Sequence, residues 1–167
     1  MTTTPALRGL HHLKIPVSDL DTSLGWYKNV FGAEHLQEFD HFDDDGVRFA
    51  VIIAIPGLPT TVELRWAPRA AAAMRECDTI MLAVDSVDQL EGWAAHLDSQ
   101  RVDHSPVTKG AAGHLLVIAD PDGIFIRMGE IPAGGVTEIK MPKGNPEPDT
   151  PWLNPPVMQH PRSTEPP

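Results

Sequence analysis

At 167 residues the chain has room for one domain with a full core or for two small fused modules, and its 41% hydrophobic and 22% charged content is that of a folded protein. Thirteen Lys and Arg against 23 Asp and Glu leave a formal net charge of -10, which repels phosphate backbones and acidic lipid headgroups and argues against nucleic-acid or membrane partners. No apolar run approaches the roughly 20 residues of a spanning helix, the N-terminus lacks the basic and apolar regions of a secretory signal, and the single Cys77 cannot form an internal disulfide. A cytoplasmic location is the expectation.

Residues 10–17 alternate, with Leu13, Ile15 and Val17 on one face and His12, Lys14 and Pro16 on the other, the period of a half-buried strand. From Leu20 the apolar positions fall at Leu24, Tyr27 and Phe31, with Ser18, Asp19 and Asp21 in front and Gly32 behind, which predicts a helix marked at both ends. Strands are expected over 34–42, 47–55 and 60–67, divided by the turn sequences DDDG and PGLP. After the joint PRAAAAMREC the order repeats. Ile80, Leu82 and Val84 alternate with Thr79, Met81 and Ala83, a helix with Leu90, Trp93, Ala94 and Leu97 on one side follows over 87–97, and strands are expected over 102–107, 114–119 and 124–128 with DPDG before the last. VSDLDTSLGW laid over VDSVDQLEGW matches Val, Asp, Gly and Trp at a constant shift of 67 residues, a sign of internal duplication. Beyond Ile131 the Pro-rich sequence excludes a helix or a central strand. It reads either as a solvated tail or, by a slight preference, as an extended arm laying Trp152, Leu153, Val157 and Met158 on its own body or on a partner subunit.

Tandem β-α-β-β-β units with a His in the first strand, a Glu in the fourth and DPDG before the last resemble the vicinal oxygen chelate superfamily. That superfamily includes glyoxalase I, extradiol dioxygenases, methylmalonyl-CoA epimerase, and fosfomycin and bleomycin resistance proteins. The resemblance covers about residues 8–130 and rests on HHLKIPVSDLDTSLGWYKNVFG, TVELRW and GHLLVIADPDGIFIRMGE. It implies an α+β fold of tandem βαβββ modules whose mixed curved sheets enclose a cavity, followed by a Pro-rich C-terminal tail. The modules are placed at 8–67 and 78–131, with a linker at 68–77 and the tail at 132–167. A homodimer and a small-molecule ligand or substrate are implied as well.

Strand alternation assigns the faces. If Leu13, Ile15 and Val17 contact the helix, His12 and Lys14 face the cavity, joined by Glu63 and Arg65 from TVELRW, Thr79 and Met81 from the fifth strand, and Phe125 and Arg127 from the last, while Val62, Leu64 and Trp66 take the helix side. Family enzymes that hold a divalent metal draw His, Glu or Gln ligands from the first and fourth strands of two modules. The positions here that match are His12 and Glu63, both suitable, and Thr79 and Arg127, which are not. A metal such as Fe, Zn, Ni or Mn would need a third donor, with Asp78, His114, His11 or another subunit as sources. Such a centre would make a glyoxalase-like lyase or isomerase with Glu63 as base, or a ring-cleaving dioxygenase.

The favoured reading is metal-free binding of a polar or anionic molecule, either as a bleomycin-resistance-type binder or with Glu63 and His12 acting as acid and base. In it Arg127 neutralises Glu63 beside His12, and Lys14, Arg65, Thr79, Met81, His114, Phe125 and Arg127 line the ligand. Trp66 is placed in the core. HFDDDGVRF fails as a calcium loop because Ile52 stands where a bidentate Glu is required, and it is assigned to a turn. KGAAG lacks the rest of a phosphate loop. His11 is assigned to the face opposite His12, and His35, His41, His96, His104 and His160 to exposed, non-functional positions.

Overall fold

Alternation along the first apolar stretch becomes strand β1 (His12–Val17) in the computed structural model, which describes residues 4–140 and 150–158. It leads into helix α1 (Leu20–Phe31). Asp19 caps the helix by accepting a 2.7 Å hydrogen bond from the Thr22 amide, and Gly32 ends it in the left-handed conformation at φ 63°. Strands β2 (Glu34–His35), β3 (His41–Phe42), β4 (Arg48–Ala54) and β5 (Thr61–Trp66) complete a sheet of order β1-β5-β4-β2, with β3 also on β4. The β1–β5 pair is parallel and the others antiparallel. Ile15 and Val17 of β1, Val51 and Ile53 of β4, and Val62 and Leu64 of β5 are buried on the α1 side with Tyr27, Val30 and Phe31. Hydrophobic burial on that face holds the helix to the sheet, and the opposite face is left for His12, Lys14, Ile52, Glu63 and Arg65.

The chain divides between Ala73 and Met74 into two units, and the second repeats this plan. Strand β6 (Asp78–Val84) runs into helix α3 (Val87–Gln100), then β7 (Thr108–Lys109), β8 (His114–Ala119) and β9 (Phe125–Glu130), in the order β6-β9-β8-β7 with β6–β9 parallel. Ser86 caps α3 by accepting from the Gln89 amide, while Leu90 and Leu97 are fully buried. The fold is mixed α+β, with one helix-backed mixed sheet in each unit.

Several elements differ from expectation for identifiable reasons. The strand expected over 34–42 is broken by a 3-10 turn at Gln37–Phe39. Asp40 there turns its carboxylate to the Ile52 amide at 3.3 Å and to His35 at 2.8 Å, so a side chain takes a place the backbone ladder would have filled. The strand expected over 102–107 reduces to a single bridge between His104 and Ile118. Pro106 has no N–H to give, and the Ser105 hydroxyl accepts from the Val117 amide at 2.9 Å. The joint contains a short helix, α2 (Pro68–Ala73), begun by a proline at a position where its missing N–H costs nothing. Trp66, placed in the core by parity, is 56% exposed at the end of β5. DDDG is a turn, with Asp43 accepting from the Asp45 and Val47 amides and Gly46 at φ 77°. Residues 141–149 and 159–167, His160 among them, lie outside the described residues.

Candidate functional site

β1 and β5 run parallel with Lys14 opposite Glu63, which places His12, Lys14, Glu63 and Arg65 on one side of the first unit's sheet. The Glu63 side chain is fully buried. Its Oε2 lies 3.2 Å from His12 Nε2 and 3.1 Å from Lys14 Nζ, and its Oε1 accepts a 3.1 Å hydrogen bond from Arg65. The Arg65 guanidinium lies 4.6 Å from the centre of the Phe49 ring, which steadies it from behind. Burial alone would push the Glu63 pKa up, but the hydrogen bond from Arg65, the adjacent Lys14 ammonium and the charge of His41 outweigh it and hold the group below its ordinary value. At neutral pH the buried group is therefore a carboxylate matched by cations of its own unit.

In front of this carboxylate is an open hollow of about 280 Å³ lined by His11, His12, Leu36, Phe39, His41, Ile52, Thr61 and Glu63. Leu36, Phe39 and Ile52 make an apolar wall, and the imidazoles, the Thr61 hydroxyl and Glu63 supply polar groups. This is the pattern of a small-molecule pocket. His11, expected on the opposite face, lies with its Nδ1 2.6 Å from His12 Nδ1, because it precedes the regular strand and parity does not bind it. His41, expected to be exposed and idle, is half-buried in the lining. Ile52 and Thr61 were legible in principle, since one pairs across the ladder with Glu63 and the other stands two residues before it. Leu36, Phe39 and His41 come from the irregular 36–41 segment, where no period marks a face.

In the second unit, Arg127 occupies the rung of Glu63. It pairs in register with Met81, as Glu63 pairs with Lys14, and Val117 stands across from it as Ile52 stands across from Glu63. Met81 is 60% exposed on this face and lies over Gly129, where an added Cβ would come within 2.4 Å of its terminal methyl. Within its own unit Arg127 forms an ion pair with Asp78, beside a register shift between Asp78 and Ile80. Thr79 sits in that irregularity and is exposed. His114 shares the parity of Leu116 and Ile118, so it faces away from Arg127 and pairs with Glu130 at 2.9 Å, holding the Glu130 pKa low through its amide and its ring. Phe125 is buried on the Arg127 side. Trp152 and Leu153 pack there too, whereas Val157 is 53% exposed.

The fit to a metal ion is partial. His12 Nε2 and Glu63 Oε2 are buried, close and without an aligned hydrogen bond, as two ligands of one cation would be. No group of three His, Cys, Asp or Glu side chains suited to a metal occurs among the described residues. Lys14 also stands against the very oxygen that would bind. Of the expected third donors, Asp78 is paired with Arg127, His114 with Glu130, and His11 with His12. Among the described residues of the first unit, His12 and Glu63 are the donors brought to one point, fewer than the three or four protein ligands of a divalent-metal centre.

Among curated proteins, the chain is 26% identical over 123 residues to MhqA of Bacillus subtilis (strain 168), a provisionally assigned ring-cleaving dioxygenase; the match covers 70% of this chain and 38% of the relative, so the chain spans well under half of that protein. Solved structures with the same fold include TnmS3, an antibiotic binding protein from Streptomyces sp. CB03234 (TM-score 0.61, 23% identity, 76% of this chain and 98% of that one). Others are the fosfomycin resistance protein FosX from Listeria monocytogenes (0.58, 16%, 75% and 94%) and lactoylglutathione lyase from Agrobacterium tumefaciens (0.56, 16%, 75% and 95%). No helix among the described residues is long and apolar enough to cross a membrane. Residues 9–128 match the profile of the glyoxalase/bleomycin resistance protein/dioxygenase superfamily, and the chain belongs to that superfamily.

Proposed function

We propose that the first unit binds a small molecule, without a metal ion, in the hollow before Glu63. The observation that carries this reading is the charge balance of Glu63: a fully buried carboxylate held by Lys14, Arg65 and His12 has its countercharge already. With two full cations around one carboxylate the cluster keeps a positive excess, and Lys14 and Arg65 remain about half exposed. A ligand with an apolar body for Leu36, Phe39 and Ile52 and an acidic or oxygen-rich end reaching the Lys14 and Arg65 cations that flank Glu63 matches both. Glu63 serves to orient His12 and Lys14 rather than to accept protons, because a base held below its ordinary pKa removes protons poorly near pH 7. The antibiotic-binding and resistance proteins of the same fold are consistent with a binder. By the family resemblance we take the working form to be a homodimer, for which light scattering in solution should return twice the chain mass.

Small aromatic carboxylates, screened by NMR on the intact chain, test the reading. Shifts clustered on Leu36, Phe39, His41 and Ile52, with affinity falling about tenfold, or ~1.4 kcal/mol, in His12→Ala, are expected. Carboxylates that bind elsewhere or equally well to His12→Ala would count against it. A second reading, a metal-dependent lyase, isomerase or dioxygenase, has one observation in its favour, the close unaligned pair of His12 Nε2 and Glu63 Oε2. It requires a donor that the described residues do not bring to that pair.

A further inference from the structure

Burial holds the Leu36, Phe39 and His41 wall of the first unit's hollow only in part. Phe39 is 57% exposed, so little apolar area fixes its place. Polar contacts behind the wall supply the rest. The Leu36 amide donates to the Ile52 carbonyl at 2.8 Å and the Ile52 amide donates to Asp40 Oδ1 at 3.3 Å, which ties both backbone groups of Ile52 to the wall segment. Between these two ties the Phe39 amide donates to the Leu36 carbonyl and the Asp40 amide to the Gln37 carbonyl, closing the 3-10 turn. The Asp40 side chain is 1% exposed, and a buried carboxylate is tolerated only with its partners in place. His35 Nε2 lies 2.8 and 3.0 Å from its two oxygens, and Arg48 Nη1 lies 3.5 Å from Oδ2 while Nη2 pairs with Asp21 in the first turn of α1.

One carboxylate thus joins β2, β4 and the wall segment, and reaches α1 through Arg48. An arrangement that satisfies the Ile52 amide, the His35 imidazole and the Arg48 guanidinium together leaves the turn little freedom, so Phe39 cannot swing outward to admit a broader ligand. We infer that Asp40 sets the width of the hollow, and with it which aromatic acids enter, as a positioning residue that lies behind the lining and meets no ligand itself. The inference rests on the reading of the hollow as a carboxylate-binding site. Without the Asp40 side chain the turn keeps its tie at Leu36 and loses the one at Ile52. Single-ring acids then lose the wall they pack against, while wider acids gain the room that Phe39 vacates.

The test titrates benzoate and 2-naphthoate calorimetrically into the full-length chain and into Asp40→Ala. Both acids carry one carboxylate, so loss of the Asp40 charge acts on them alike and the ratio of their affinities reports the wall. That ratio, benzoate over 2-naphthoate, should fall at least tenfold in Asp40→Ala. In the ligand-free variant the Ile52 amide should exchange its hydrogen at least tenfold faster, with the Leu64 amide of the same sheet still protected. An unchanged ratio, including the equal loss for both acids that general loosening would give, overturns the inference and leaves the carboxylate site standing, and so does an unchanged Ile52 exchange rate. Binding of neither acid by the unmutated chain sinks the carboxylate site itself, and the inference falls with it. Should Asp40→Ala lose cooperative folding, Asp40→Asn, which keeps the shape without the charge, replaces it, and its ratio should move the same way by threefold or more; an unmoved ratio overturns the inference equally.

Discussion

Glu63 and Arg127 stand on matching rungs of two sheets with one strand order, the first opposite Lys14 and the second opposite Met81. Around Glu63 the neighbours are cations and the face in front is a hollow, while Arg127 is paired with Asp78 and lies beneath Leu153. The duplicated backbone thus supplies the same platform twice. A handful of side chains, with opposite charge at the central rung, decides that one copy stays open and the other is filled.

Core truncation should separate the copies with the largest effect. Leu64 and Leu116 are both fully buried on the helix sides of their sheets, and changing either to Ala should cost about 2–5 kcal/mol in urea-induced unfolding. If hydrogen exchange shows that Leu64→Ala loosens only the first unit and Leu116→Ala only the second, the copies are energetically distinct; uniform loosening of both would merge them. Next in size, Leu153→Ala should destabilise by about 2 kcal/mol, at the low end for a buried Leu because a short arm can settle into the space. A melting temperature unchanged by that substitution would mean that the filled face gains nothing from its occupant.

A smaller effect tests the open copy's charge balance. The Glu63 pKa is lowered from 4.5, so the group contributes stability that is present above that value and is lost as pH falls through its lower folded value. The margin by which the unmutated chain outmelts Glu63→Gln should therefore be full near pH 6 and shrink below about pH 4. Parallel melting curves for the two proteins from pH 6 to pH 3 would show that the cations do not hold the carboxylate. Smallest of all, helices α1 and α3 end on residues in the same left-handed conformation, Gly32 at φ 63° and Arg101 at φ 57°. Only glycine is unstrained there, so Gly32→Ala should lose about 1 kcal/mol and Arg101→Gly should gain up to about 1 kcal/mol. Changes of the same sign at the two ends would contradict this.

Strand alternation carried the fold and half of the site. His12, Lys14, Glu63 and Arg65 could be gathered from it because β1 and β5 are regular and pair without a shift, so odd and even positions keep their sides. Alternation fails where the ladder is irregular. The shift between Asp78 and Ile80 joined Asp78 to Arg127 and left Thr79 exposed, and the 36–41 segment, organised by the Asp40 carboxylate, brought Leu36, Phe39 and His41 to the hollow without any period to announce them. Trp152 and Leu153 illustrate another limit: Pro-rich sequence shows that no helix or central strand forms, while where an extended segment docks depends on the apolar surface waiting for it.

Elemental analysis of untagged full-length protein, run beside Glu63→Gln, tests the central claim most directly. A self-balanced carboxylate predicts well under a tenth of an equivalent of Fe, Zn, Ni or Mn in both proteins, with aromatic carboxylate binding intact in the metal-free chain. About one equivalent of any of these metals in the unmutated protein, lost in Glu63→Gln, would contradict it.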